Sequence, residues 1–138
     1  MNKISILLLS ASAVLAATPA MAAAPIGGKW MTSEKDSIIE IAPCGTNMCG
    51  KISKFLIPIE GPPFDRKNPN PAMRTRPLLG LPILLALKDR GKQWEGSVYD
   101  PRNGKTYKSK VFMNPNGTLT MKGCVVFICP SSIWTQAR

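Results

Sequence analysis

The sequence predicts an all-β protein: a small up-and-down antiparallel β-barrel of about eight strands, stapled by disulfides. Three observations predict it. From Ser37 onward, apolar and polar residues alternate in short runs at the period of two expected of half-buried strands. The runs are separated by Gly, Pro, Asn and Asp clusters that make tight reversals. Four cysteines fall in two matching C-x4-C pairs, each bracketing one reversal. Eight hairpin-linked strands favour closure, because a closed barrel leaves no edge unpaired. Its interior is just wide enough for packed side chains or one small ligand.

Residues 1–22 read as an export signal. Lys3 supplies the positive start, Ile4 to Ala17 form an apolar run short for a membrane span, and Ala20-Met21-Ala22 is a small-x-small cleavage site. Cleavage near Ala22-Ala23 leaves 23–138 as one barrel domain, periplasmic or secreted from a bacterium, with no transmembrane segment. That oxidising setting favours disulfides over a four-thiolate zinc site for Cys44, Cys49, Cys124 and Cys129. Four cysteines allow three pairings; the two local ones are favoured, as each pair flanks a turn. On the chain-entropy view each short loop contributes about 2 kcal/mol.

The elements follow in order. Gly27 to Thr32 is a short strand carrying Gly28-x-Trp30, and Ser33 to Asp36 a turn. Ser37 to Ala42 and Cys49 to Ile57 form a hairpin around Gly45-Thr46-Asn47-Met48. Between Ile57 and Pro82 the alternation stops, and Pro58, Pro62, Pro63, Pro69, Pro71 and Pro77 punctuate a connection of uncommon length. Leu79 to Leu87 is nearly all apolar; periodicity leaves strand or short helix open, with Pro82 against a helix interior. Gln93 to Tyr99 and Lys105 to Met113 flank Asp100-Pro101-Arg102-Asn103-Gly104, whose residues suit a turn. Asn114-Pro115-Asn116-Gly117 repeats that chemistry before Leu119 to Val125. Another reversal follows, and Ser132 to Gln136 closes the chain.

Gly28-x-Trp30 near the domain start, the hairpin pattern and the terminal Arg138 resemble lipocalin-like barrels. There, such a tryptophan packs at the closed end beneath a late arginine. The chain from Gly28 onward resembles, more specifically, a family of small exported bacterial proteins, domain-of-unknown-function family 2147. The resemblance rests on Cys44-Gly45, Cys49-Gly50-Lys51, Asp65-x-x-Asn68-Pro69 and Arg74-x-Arg76-Pro77-Leu78-x-Gly80. It rests equally on Tyr99-Asp100-Pro101-x-x-Gly104-Lys105-x-Tyr107, Gly123-Cys124 and Trp134-Thr135. It implies a lipocalin-like barrel and brings no established activity. Gln136-Ala137 stand where that pattern leads one to expect an arginine.

The sequence has no histidine, which excludes Ser-His-Asp and Cys-His catalysis and histidine-ligated metals. Bridged cysteines cannot act as nucleophiles. Carboxylate chemistry through Asp65 and Asp100 is left, but Asp100 suits turn capping and Asp65 suits an ion pair with Arg74 or Arg76. No catalytic residue, metal or cofactor is therefore expected, and the chain is read as a non-enzyme. The binding candidates are Asp65, Asn68, Arg74, Arg76, Trp94, Tyr99 and Tyr107. Two guanidinium groups at i and i+2 in an extended segment face one side and suit a carboxylate or phosphate. Tyr99 and Tyr107 could pack as neighbours across their hairpin. Trp30, Trp94 and Trp134 suit barrel-end filling or the wall of an apolar pocket.

The function expected first is capture of a small apolar or amphipathic ligand with an acidic group, entering the barrel mouth beneath the 58–77 connection. The alternative is a non-catalytic, envelope-associated structural or interaction module with a packed barrel, docking on an anionic envelope surface or a protein partner, or as a homodimer. A carboxylate-based hydrolase comes last. Without Lys3 the chain carries 17 Lys and Arg against 8 Asp and Glu, a net +9. The basic residues are scattered, with no basic-aromatic motif for nucleic acid.

Overall fold

The computed structural model describes residues 12–138; the start of the apolar run at Ile4 lies outside them. Eight strands follow in order: β1 (Gly28–Met31), β2 (Ser37–Cys44), β3 (Asn47–Phe55), β4 (Pro82–Asp89), β5 (Trp94–Asp100), β6 (Lys105–Met113), β7 (Leu119–Cys124) and β8 (Ser131–Gln136). Each pairs antiparallel with its neighbour in sequence. β1 also pairs with β8 through Trp30–Gln136 and Met31–Thr135, which closes the barrel. The helical content among the described residues is a single 3-10 turn, Pro71–Met73, inside the long connection. Asn70 caps it, its Oδ1 accepting from the Ala72 N–H at 3.1 Å. No helix is long and apolar enough to cross a membrane.

The apolar run at 79–87 enters the sheet as β4, opening at Pro82 as proline allows at a strand's first residue. It escapes the period of two because of a bulge. Leu85 pairs with Ser97 and Lys88 with Glu95, so two residues of β4 face the single residue Gly96. Ala86 takes a positive φ of 49° there, and Leu84 and Leu87, three apart, are both fully buried. Leu81, Ile83, Leu84 and Leu87 of the run are buried within the chain itself, while Leu79 is exposed.

The interior is a packed core. Trp30, Ile39, Ile41, Ile52, Leu84, Val98, Val111, Leu119 and Trp134 are buried in one cluster with Leu81 and Leu87. The inward glycines leave no hole. A Cβ on Gly50 would lie 2.9 Å from Leu84 Cδ1, and one on Gly123 3.4 Å from Val98 Cγ1. One on Gly96 would meet the carbonyl oxygens of the bulge, Ala86 O at 2.9 Å. Both surface hollows of note lie outside the barrel.

One end holds the turns 45–46, 90–93 and 114–118. The chain before β1 packs there: Ile26 is fully buried, and its carbonyl accepts the Trp30 indole N–H at 2.9 Å. Arg138 is exposed, and the cation–π contact among the described residues is Lys122 over Phe112. Trp30 is thus held by the chain's own backbone rather than by a late arginine. The other end holds the 32–36, 101–104 and 125–130 turns and the 56–81 connection.

Candidate functional site

Disulfides join Cys44 to Cys49 and Cys124 to Cys129, the two local pairings. The first clasps the β2–β3 hairpin. The second clasps the β7–β8 loop, where Val125 N donates to Ile128 O at 2.7 Å and Ile128 N to Val125 O at 3.0 Å. The result is a tight hairpin with Val126 and Phe127 at its tip. Phe127 is 96% exposed and Val126 83%, with Val125 and Ile128 also exposed. Val126 sits at φ 54°, a left-handed conformation that β-branched residues rarely adopt. Hydropathy alone places four consecutive apolar residues in a core; here they project.

The long connection is fastened by a buried carboxylate. Asp65 is fully buried. Its Oδ1 accepts the Tyr99 hydroxyl at 2.5 Å, and its Oδ2 accepts Asn68 Nδ2 at 2.8 Å and Arg76 Nη2 at 2.9 Å. The Asp65 N–H also donates to Arg76 O at 2.9 Å. Burial raises the Asp65 pKa, but the donors Tyr99, Arg76 and Asn68 outweigh it and hold the carboxyl below its ordinary value. The reciprocal effect, burial first and then the carboxylate, pushes Tyr99 up to about 12. Gly104 completes the fastening: at φ 71° it lets the 67–68 backbone lie against the β5–β6 turn, where a Cβ would meet Lys67 O.

The arginines are not free to share a ligand. Arg76 is spent on Asp65, and Arg74 Nε donates to Asn68 O at 2.8 Å. Arg74 follows the 3-10 turn with φ −70° and ψ −12°, so the extended segment expected of 74–76 is absent at its first residue. Tyr99 and Tyr107 do not pack across their hairpin. Val98 is opposite Tyr107 and Thr106 opposite Tyr99, so the two rings take opposite faces. Tyr99 meets the connection, while Tyr107 turns inward and its hydroxyl accepts from Asn103 Nδ2 at 3.0 Å. Trp94 lies at the opposite end of β5, its indole donating to Ala24 O at 2.9 Å. Asp65, Asn68, Arg76 and Tyr99 form one network; Trp94 and Tyr107 stand apart from it.

Asp100 Oδ1 accepts the Arg102 N–H and Nε, both at 2.9 Å, and Oδ2 accepts Arg102 Nη2 at 3.1 Å. No group of three or more Cys, Asp or Glu able to hold a metal occurs among the described residues. The two hollows measure about 430 Å³, against β4–β6 beside Lys88, Lys108 and Lys110, and about 720 Å³, between Pro62, Phe64, Arg66, Arg74 and Thr75.

These features define a small, disulfide-clasped, closed antiparallel barrel of eight strands. The chain belongs to the family described as "Uncharacterized protein conserved in bacteria (DUF2147)", matched over residues 28–136. Among solved structures it is similar to one titled "Protein HP1028 from the human pathogen Helicobacter pylori belongs to the lipocalin family". The TM-score is 0.74 at 24% identity, with 83% of this chain and 84% of that one covered. At that identity the likeness is one of fold. No curated protein matches the chain.

Proposed function

We propose that this protein is a non-catalytic interaction module that docks on an anionic lipid surface through the Val125–Ile128 tip. The carrying observation is the tip itself: four consecutive exposed apolar residues on a hairpin pinned by Cys124–Cys129. A pinned tip loses little conformational entropy on insertion, and its strained Val126 marks a conformation that folding alone does not favour. Lys108, the register partner of Cys124, stands at its base, and Lys35, Lys54 and Lys105 lie at the same end of the barrel, where Arg102 is already paired with Asp100. Basic residues near an anionic surface each contribute about 1 kcal/mol, and burying Phe127 about 2 kcal/mol. The packed interior and the engaged oxygens of Asp65 and Asp100 support a surface role over a chamber or a hydrolase.

Co-sedimentation with vesicles tests this. The protein is expected to bind phosphatidylglycerol-containing vesicles, less so as salt rises, and not pure phosphatidylcholine. Phe127→Ser should weaken binding by about 30-fold, the equivalent of about 2 kcal/mol, without lowering the melting temperature. Equal binding by wild type and Phe127→Ser, or none by wild type, would overturn the proposal.

A second reading has one observation in its favour. The outer hollow at Pro62 and Phe64 combines apolar walls with Arg66 and Arg74, which suits an amphipathic acid.

A further inference from the structure

The approach to β1 carries a contact that barrel closure does not require. From residue 12 to 22 every residue is exposed and without secondary structure; burial begins at Ala23, which is 8% exposed, and is complete at Ile26. The Ala23 N–H donates to Asp89 Oδ1 at 2.9 Å, on an oxygen that also accepts Gly91 N–H at 2.8 Å. The next carbonyl, Ala24 O, takes the Trp94 indole at 2.9 Å, and Ile26 O takes that of Trp30. Residues 23–26 are thus strapped to β1, to the end of β4 and to the start of β5 by three hydrogen bonds, beginning at the residue that follows Ala20-Met21-Ala22.

We propose that the Ala22–Ala23 bond is cut by a peptidase selecting small residues one and three positions before the bond, and that the α-ammonium so created pairs with the Asp89 carboxylate. Water adds across the amide: Ala22 leaves as a carboxylate, and the Ala23 amine takes the proton. A neutral N–H donor becomes a charged one on the same oxygen, which shortens and strengthens such a bond. Asp89 is prepared for this partner. The Gly91 and Ala23 N–H groups already hold its carboxyl below the ordinary range. The cut comes before the strap seats, since Ala23 is buried once it has. Processing then does more than remove a leader: it supplies a charge that fastens the strap at the barrel end that holds the 90–93 turn.

The test has two readouts. The full-length chain is expressed in a bacterium, and the envelope-fraction product is sequenced from its N-terminus; Ala23 is expected first. Thermal unfolding is then compared for Asp89 and Asp89→Asn in two forms, one starting at Ala23 and one at Met21. Asparagine keeps the oxygen that accepts Gly91 N–H, so only the charge changes. Asp89→Asn should lower the melting temperature by roughly 3 °C in the Ala23 form and by less than about 1 °C in the Met21 form. A product starting elsewhere, or an equal shift in both forms, would overturn the proposal.

Discussion

Replacing Asp65 with Ala is expected to lower stability by about 3 kcal/mol, measured by urea unfolding, because three donors lose one shared buried acceptor. Tyr99, Asn68 and Arg76 all bond its carboxylate. Arg76 is 38% exposed in its side chain and can turn to water, which keeps the loss below that of a fully buried pair. Tyr99→Phe removes one donor and leaves the other two, so about 1 kcal/mol is expected. The double variant should cost little more than Asp65→Ala alone, because the two share one bond. The same network sets a pH dependence. The folded pKa of Asp65 lies below its unfolded value, so its contribution is present above about pH 4 and is lost as pH falls through the folded pKa. Tyr99 runs the other way: its contribution holds below about pH 10 and is lost as pH rises through about 12. Asp65→Ala should flatten the acid limb of a stability–pH curve, and Tyr99→Phe the alkaline one.

Gly104→Ala is expected to cost about 2–4 kcal/mol, through two additive causes. The residue sits at φ 71°, where an L side chain is strained, and its Cβ would meet the Lys67 carbonyl, which is backbone and cannot swing aside. The damage should appear where the connection rests. Arg66 and Lys67 are exposed in a segment held by the Asp65 network and the Gly104 contact. Tryptic cleavage after them under native conditions reports how often that segment opens. Gly104→Ala should speed cleavage there by about 30-fold or more. An unchanged rate would mean that the turn does not hold the connection.

Much of this fold was legible in the sequence, for local reasons. Turn residues at 100–104 and 114–117 act within a few positions, and β6 alternates without a break, so its bounds match those expected. β4 was less legible because its bulge puts Leu84 and Leu87 on the same side, which no period of two describes. Within the site, an acid–arginine tie across the connection could be expected from charge alone. Which arginine answers Asp65 is set within the connection, where Phe64 bridges Pro77 and the Asp65 N–H donates to Arg76 O; that Tyr99 joins it from 34 positions away depends on the face of β5 it takes. Gly104 read as a turn residue. Its second role, making room for Lys67, is a long-range contact that no local pattern records. The reversal between Cys124 and Cys129 was legible from the cysteine pair; that its four apolar residues project follows because the clasp leaves too little chain to fold Val-Val-Phe-Ile inward.

The central claim is that the barrel is filled by its own side chains and acts from its surface. Native mass spectrometry of the protein purified from its native cells tests it most directly. The expected spectrum is the mass of the bare polypeptide with two disulfides formed. A stoichiometric amphiphile retained through gel filtration would contradict the claim, placing ligand capture in the barrel or in the Phe64–Arg74 hollow.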